Sequence, residues 1–179
     1  MNDKGMRGGI IVKADFNEVE KHFKLQLKTI AKSEIPALLH QAQRLLARMQ
    51  DKKTAFASLE KIVSSTTETL DTHIVLSRGA YASGDIERSA AEAKAALAIQ
   101  ANSELAILSL AQASSKEQAF QVVTDFLKQN PDSREVRFAL ATMLVENRQL
   151  EAAKKEFETI LRDFEQHQIS TARVIFTLG

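Results

Sequence analysis

The chain has 179 residues and no cysteine. That excludes a disulfide framework, a thiolate metal site and a thiol nucleophile. It fits the cytoplasm and does not exclude the periplasm. Only two prolines and six glycines interrupt the sequence. With abundant Ala, Leu, Glu, Lys and Gln, this scarcity favours an all-helical fold. No apolar run approaches the ~18 residues that span a bilayer, and the N-terminus has no signal-peptide hydrophobic region. No sign of charge dominates: 24 basic against 23 acidic residues leave a net charge of +1, which argues against a general polyanion binder. The four histidines, His22, His40, His73 and His167, stand at no metal-ligand spacing, and HExxH is absent. Acidic neighbours such as Glu156 and Glu158 do not converge on a helix. Gly8-Gly9 has neither the lysine–serine pair nor the strand–helix context of a phosphate loop.

What is present is a periodic pattern, clearest from Asp132 to Glu165. Pro131 stops a preceding helix. Asp132 and Glu135 have the spacing of a capping box for the next. Val136, Leu140 and Leu144 then share one helical face, with Met143 beside them. Asn147 and Arg148 break the pattern. A second helix follows with Leu150, Ala153, Phe157, Ile160 and Leu161 on one side. The same register occurs upstream. Ala55, Ser89, Ala119 and Ala153 form a column of small residues with steps of 34, 30 and 34. Leu59, Ala93, Val123 and Phe157 form the next column, and Ile62, Ala96, Phe126 and Ile160 a third. A helix pair recurring every ~34 residues is a solenoid signature. The short step places a four-residue deletion between the helices of the third unit, at Ala113–Ser115. That shortening predicts a local change of curvature.

On these residues the chain resembles a tetratricopeptide-repeat protein. Leu76-Ser77, Ala80, Gly84-Asp85-Ile86 and Ala96-Leu97 match in the second unit. Leu140-Ala141, Leu144, Ala153 and Phe157 match in the fourth, and Pro131 closes the third. The family's first-helix aromatic is replaced by His73, Ile107 and Arg137. The resemblance implies a right-handed superhelical solenoid of antiparallel helix pairs, with repeats near 36–69, 70–103, 104–133 and 134–167. Residues 1–14 form an expected flexible segment, and residues 15–32 a packing helix opened by Asp15 and Glu18 as a capping box. The expected domain runs over 15–179, closing with a half-repeat helix at 168–179, where Val174 and Leu178 pack on Phe157 and Ile160. Such an end fits a fragment of a longer chain. The run from Gln129 to Leu161, with VIFTLG at the end, is also similar to long repeat proteins of Gram-negative bacteria. Some of those are envelope lipoproteins that adapt proteases to substrates, and a fragment of such a lipoprotein-type parent would belong in the periplasm.

In that family the first helix of each pair lines a concave groove. By register the groove-facing residues are His40, Arg44, Arg48, Arg78, Tyr81, Gln112, Phe138 and Thr142. The arginines suit carboxylates through bidentate hydrogen bonds, and Tyr81 and Phe138 suit apolar anchors. The other reading of the same arginines is an ordinary solvated face. Chaperone-binding members hold a C-terminal carboxylate with lysine and asparagine. Here His40 and Arg44, then Ile74 and Arg78, occupy those positions, so chaperone tails are not expected. An open solenoid also lacks the enclosed pocket that catalysis uses to exclude water. The expectation is a non-enzymatic protein without metal or cofactor. Its partner is a protein or peptide, without nucleic acid or membrane insertion, and the chain is a monomer or weak homo-oligomer. The rival readings are a self-associating spacer and a nucleic-acid-binding repeat. The second needs a continuous basic stripe, which Asp71, Glu135 and Glu146 interrupt.

Overall fold

The computed structural model describes residues 15–177, with side chains as far as Glu165. The expectations for residues 1–14, for the packing of Val174 and Leu178 and for His167 lie outside the described residues. Within them every regular element is helical. They are α1 (Phe16–Leu27), a 3-10 turn (Lys32–Glu34), α2 (Ile35–Ala47), α3 (Lys52–Val63), α4 (Leu70–Ser83), α5 (Ile86–Ile99), α6 (Glu104–Gln112), α7 (Lys116–Gln129), α8 (Arg134–Glu146) and α9 (Leu150–Thr177). None of these helices is long and apolar enough to cross a membrane.

Local chemistry sets most boundaries. Ser115 and Gln118 cap α7 reciprocally, as their spacing predicts. Gly84 ends α4 at φ 88°, a left-handed conformation that only glycine adopts at little cost. Asp85 then accepts from the Arg88 amide and starts α5. Other boundaries differ from expectation. Asp15 caps α1 through the Asn17 amide, and Glu18 makes no return bond. The helix stops at Leu27, short of residue 32, because Lys28, Thr29 and Ile30 close it with tight turns onto Leu25 and Gln26. Those turns bring Ile30 back against the first core cluster. At α8 the capping position falls on Ser133, not Asp132. Ser133 is buried, its side chain caps nothing, and Asp132 is left exposed in the turn. The backbone of α9 runs unbroken to Thr177, so no turn separates 150–167 from the half-repeat helix expected at 168–179.

Helices touch only their near neighbours. Each helix contacts the next, and α1 also packs on α3. First helices contact the first helix of the following pair as well: α2 with α4, α4 with α6, and α6 with α8. The second helices α3, α5, α7 and α9 make no such close backbone approach to one another among the described residues, although Arg88 of α5 reaches Glu60 of α3 at 3.9 Å. A stack closed along one layer and splayed along the other curves towards the closed layer. This nearest-neighbour architecture is an α-helical solenoid.

The three columns read from the sequence form the spine of its core. Ala55, Ser89, Ala119 and Ala153 are all buried, and so are Leu59, Ala93 and Val123, with Phe157 half-buried. Ser77 donates to the Ser89 carbonyl at 2.9 Å, which small side chains permit by letting α4 and α5 approach. Hydrophobicity misplaces some residues. Leu45, Leu150 and Leu161 are exposed, whereas Gln43 is buried. The shortened third unit is visible as α6, which has nine residues against thirteen or fourteen in α2, α4 and α8.

Candidate interaction surface

The first-helix layer carries the eight residues picked out by register. Arg44, Arg78 and Gln112 recur at the full repeat period, and Thr142 follows after the shortened step. They fall at equivalent positions of α2, α4, α6 and α8. Arg44, Arg48, Gln112, Phe138 and Thr142 are exposed, as is Tyr81. The Thr142 hydroxyl donates to the Phe138 carbonyl at 2.9 Å, which turns it back onto its own helix. His40 is less available. Its Nε2 lies 3.1 Å from Asp71 Oδ1, tying α2 to α4.

The arginines among these eight are uncompensated charges of this layer. Among the described residues, Arg44, Arg48 and Arg78 take part in no side-chain ion pair or hydrogen bond. Two other arginines are matched: Arg88 with Glu92 at 2.8 Å, and Arg137 with Glu156 at 2.6 Å. Arg78 is half-buried. Burial first, and then the nearby Arg44 charge, pushes its guanidinium below the usual arginine range. Like charges near one another without a counter-ion oppose folding.

Phe138 lies at the other end of the layer, in different surroundings. It meets Phe157 edge-on at 5.7 Å between ring centroids and is still 55% exposed. It lines a cleft of about 590 Å³ with Ile160 and Phe164 of α9. Glu104, Asp132 and Glu135 stand around that cleft. The register of first helices identifies Phe138 but not these companions, which come from α6, the α7–α8 turn, the first turn of α8 and α9. Among the described residues, no group of three or more His, Asp or Glu side chains is placed to hold a metal ion.

Compared by sequence, no family model and no curated protein matches the chain. Compared by structure, it is similar to the crystal structure of MamA, with a TM-score of 0.57 and 16% identity. The superposition covers 86% of this chain and 91% of that one. At this identity the likeness speaks for the fold alone, an α-helical solenoid.

Proposed function

We propose that the chain is a non-catalytic scaffold that binds an extended segment or a helix of a partner protein along its first-helix layer. Arg44 and Arg78 receive a carboxylate there. Arg48 adds charge beside them, Tyr81 gives an apolar anchor, and Gln112 and Thr142 supply polar contacts further along. The observation that carries this reading is the Arg44–Arg78 pair. The Arg44 charge is near enough to add to the burial that pushes the Arg78 guanidinium down, Arg78 is half-buried, and no acidic side chain of the described residues pairs with either. A guanidinium forks onto a carboxylate in a fixed plane, so the pair selects geometry as well as charge.

The test is a fluorescence-anisotropy titration with a labelled peptide carrying two adjacent glutamates beside a leucine. Wild type binds it, and the affinity falls as salt rises. The Arg44→Glu, Arg78→Glu variant binds at least tenfold more weakly while keeping its helical circular dichroism. Equal binding by wild type and variant removes the arginines from the site.

A further inference from the structure

The cleft at Phe138 has a chemistry opposite to that of the arginine pair. Its floor is apolar, formed by Phe138, Ile160 and Phe164. Phe138 and Phe164 keep 55% and 50% of their surface exposed. Large aromatic surfaces left open around one cleft are a common mark of a docking site.

The rim decides what fits. Glu104, Asp132 and Glu135 border the floor, and among the described residues none of the three takes part in a side-chain ion pair or hydrogen bond. One cation stands among them. Arg134 leaves the carboxylates and lays its guanidinium over the Phe164 ring, 4.8 Å from the centroid. The chain thus seats a guanidinium on one aromatic wall by itself. The exposed surface of Phe138 has no such occupant among the described residues. Three carboxylates against one guanidinium leave the rim acidic, and they surround the cleft without converging on a metal-ion position.

We propose that this cleft receives an arginine or lysine side chain of a partner protein, next to an aliphatic residue in the same segment. The aliphatic stem lies on Phe138 and Ile160, and the charged head reaches the rim carboxylates. The aliphatic neighbour fills the remaining floor. The inference rests on the scaffold reading above but not on the arginine pair. Together the two sites give the partner a polarity: its acidic part meets α2 and α4, and its basic part meets α8 and α9.

The experiment is an NMR titration of the 15N-labelled full chain with three capped tripeptides, Leu-Arg-Leu, Leu-Gln-Leu and Leu-Glu-Leu. The arginine peptide shifts the backbone amides around Glu135, Phe138 and Phe164 and binds at least fivefold more tightly than the glutamine peptide. Asp132→Asn with Glu135→Gln removes that advantage. Arg44→Glu with Arg78→Glu leaves it unchanged. Equal response to the arginine and glutamine peptides overturns the proposal, as does full binding by the amide variant. If the glutamate peptide shifts amides near Arg44 and Arg78 while the arginine peptide shifts none near Phe138, the scaffold reading stands and this inference falls. If all three peptides leave every amide unmoved, both fall. Self-association lost on Phe138→Ser assigns the cleft to a second copy and also overturns it.

Discussion

Arg137 and Glu156 bridge α8 and α9 at 2.6 Å, in the place where His73 and Glu92 bridge α4 and α5 at 2.7 Å. Both pairs are 19 residues apart in sequence, and each member of the first pair stands two repeat units after its counterpart in the second. The third unit has Ile107 and Val122 at the matching register, in one apolar cluster. The first unit has Leu39 and Ser58 there, both buried, so this position between paired helices accepts either a polar bridge or uncharged packing.

That equivalence predicts a substitution pattern. Glu156→Ala leaves a largely buried Arg137 without its carboxylate and costs roughly 1–3 kcal/mol. Arg137→Ile with Glu156→Val copies the third unit and recovers most of the loss, because an apolar pair replaces a buried ion pair at little cost. Urea unfolding of the three proteins checks this. A double variant no more stable than Glu156→Ala contradicts the equivalence.

The α3–α4 contact depends on a missing side chain. A Cβ at Gly79 meets Leu59 Cδ2 at 2.6 Å and Phe56 Cδ2 at 2.9 Å. Phe56 is half-buried, but Leu59 is 1% exposed and has nowhere to go. Gly79→Ala should therefore lose about 1–3 kcal/mol to overpacking, offset in part by alanine's higher helix propensity. A higher melting temperature in this variant contradicts the packing described.

Asp51 gives a pH-dependent contribution. Its carboxylate accepts from the Thr54 hydroxyl at 2.6 Å and from the Thr54 amide at 3.0 Å, capping α3. These bonds, the hydroxyl first, hold its pKa below the usual 3.8. A depressed carboxyl pKa stabilises the fold above the unfolded value and loses that contribution as pH falls through the folded value. Asp51→Asn is expected to be less stable than wild type at pH 7, with the gap narrowing below about pH 4. Thermal unfolding from pH 7 to pH 3 measures it. A constant gap removes the ionised cap from the account.

Arg78 should show a conflict between stability and binding. Its half-buried charge, close to Arg44, is unfavourable in the free chain. Solvent screens the exposed part of that charge, so Arg78→Leu is expected to leave stability unchanged or raise it by up to about 1 kcal/mol. The same change should weaken binding of the acidic peptide at least tenfold. Such a trade is usual where a binding residue is strained in the free protein. Destabilisation by Arg78→Leu assigns Arg78 to the structure instead.

The periodic part of the fold was legible because packing imposes it. The column through Ala55, Ser89, Ala119 and Ala153 must be small wherever helices approach closely, so its spacing survives in the sequence. Exposure was less legible. Leu45, Leu150 and Leu161 are as apolar as their buried neighbours, and Gln43 is buried, because composition does not report how wide each interface is. The N-cap position at Ser133 was hidden by Asp132, an equally good capping type one residue earlier. His73 and Arg137 stood out as departures from the family pattern. Glu92 and Glu156, which stand at the same two-unit offset as those residues, were the signal that explains them. The cleft left no periodic trace, since Glu104, Phe138 and Phe164 come from three helices. Phe138 was found by register, and its acidic surroundings required the structure.

The central claim is that the first-helix layer binds a partner protein through Arg44 and Arg78. The most direct measurement is a pull-down with wild type beside the Arg44→Glu, Arg78→Glu variant, followed by identification of the retained proteins. The account predicts a protein held by wild type and lost by the variant, carrying an acidic segment whose synthetic copy competes for binding. A partner held equally by both proteins contradicts it.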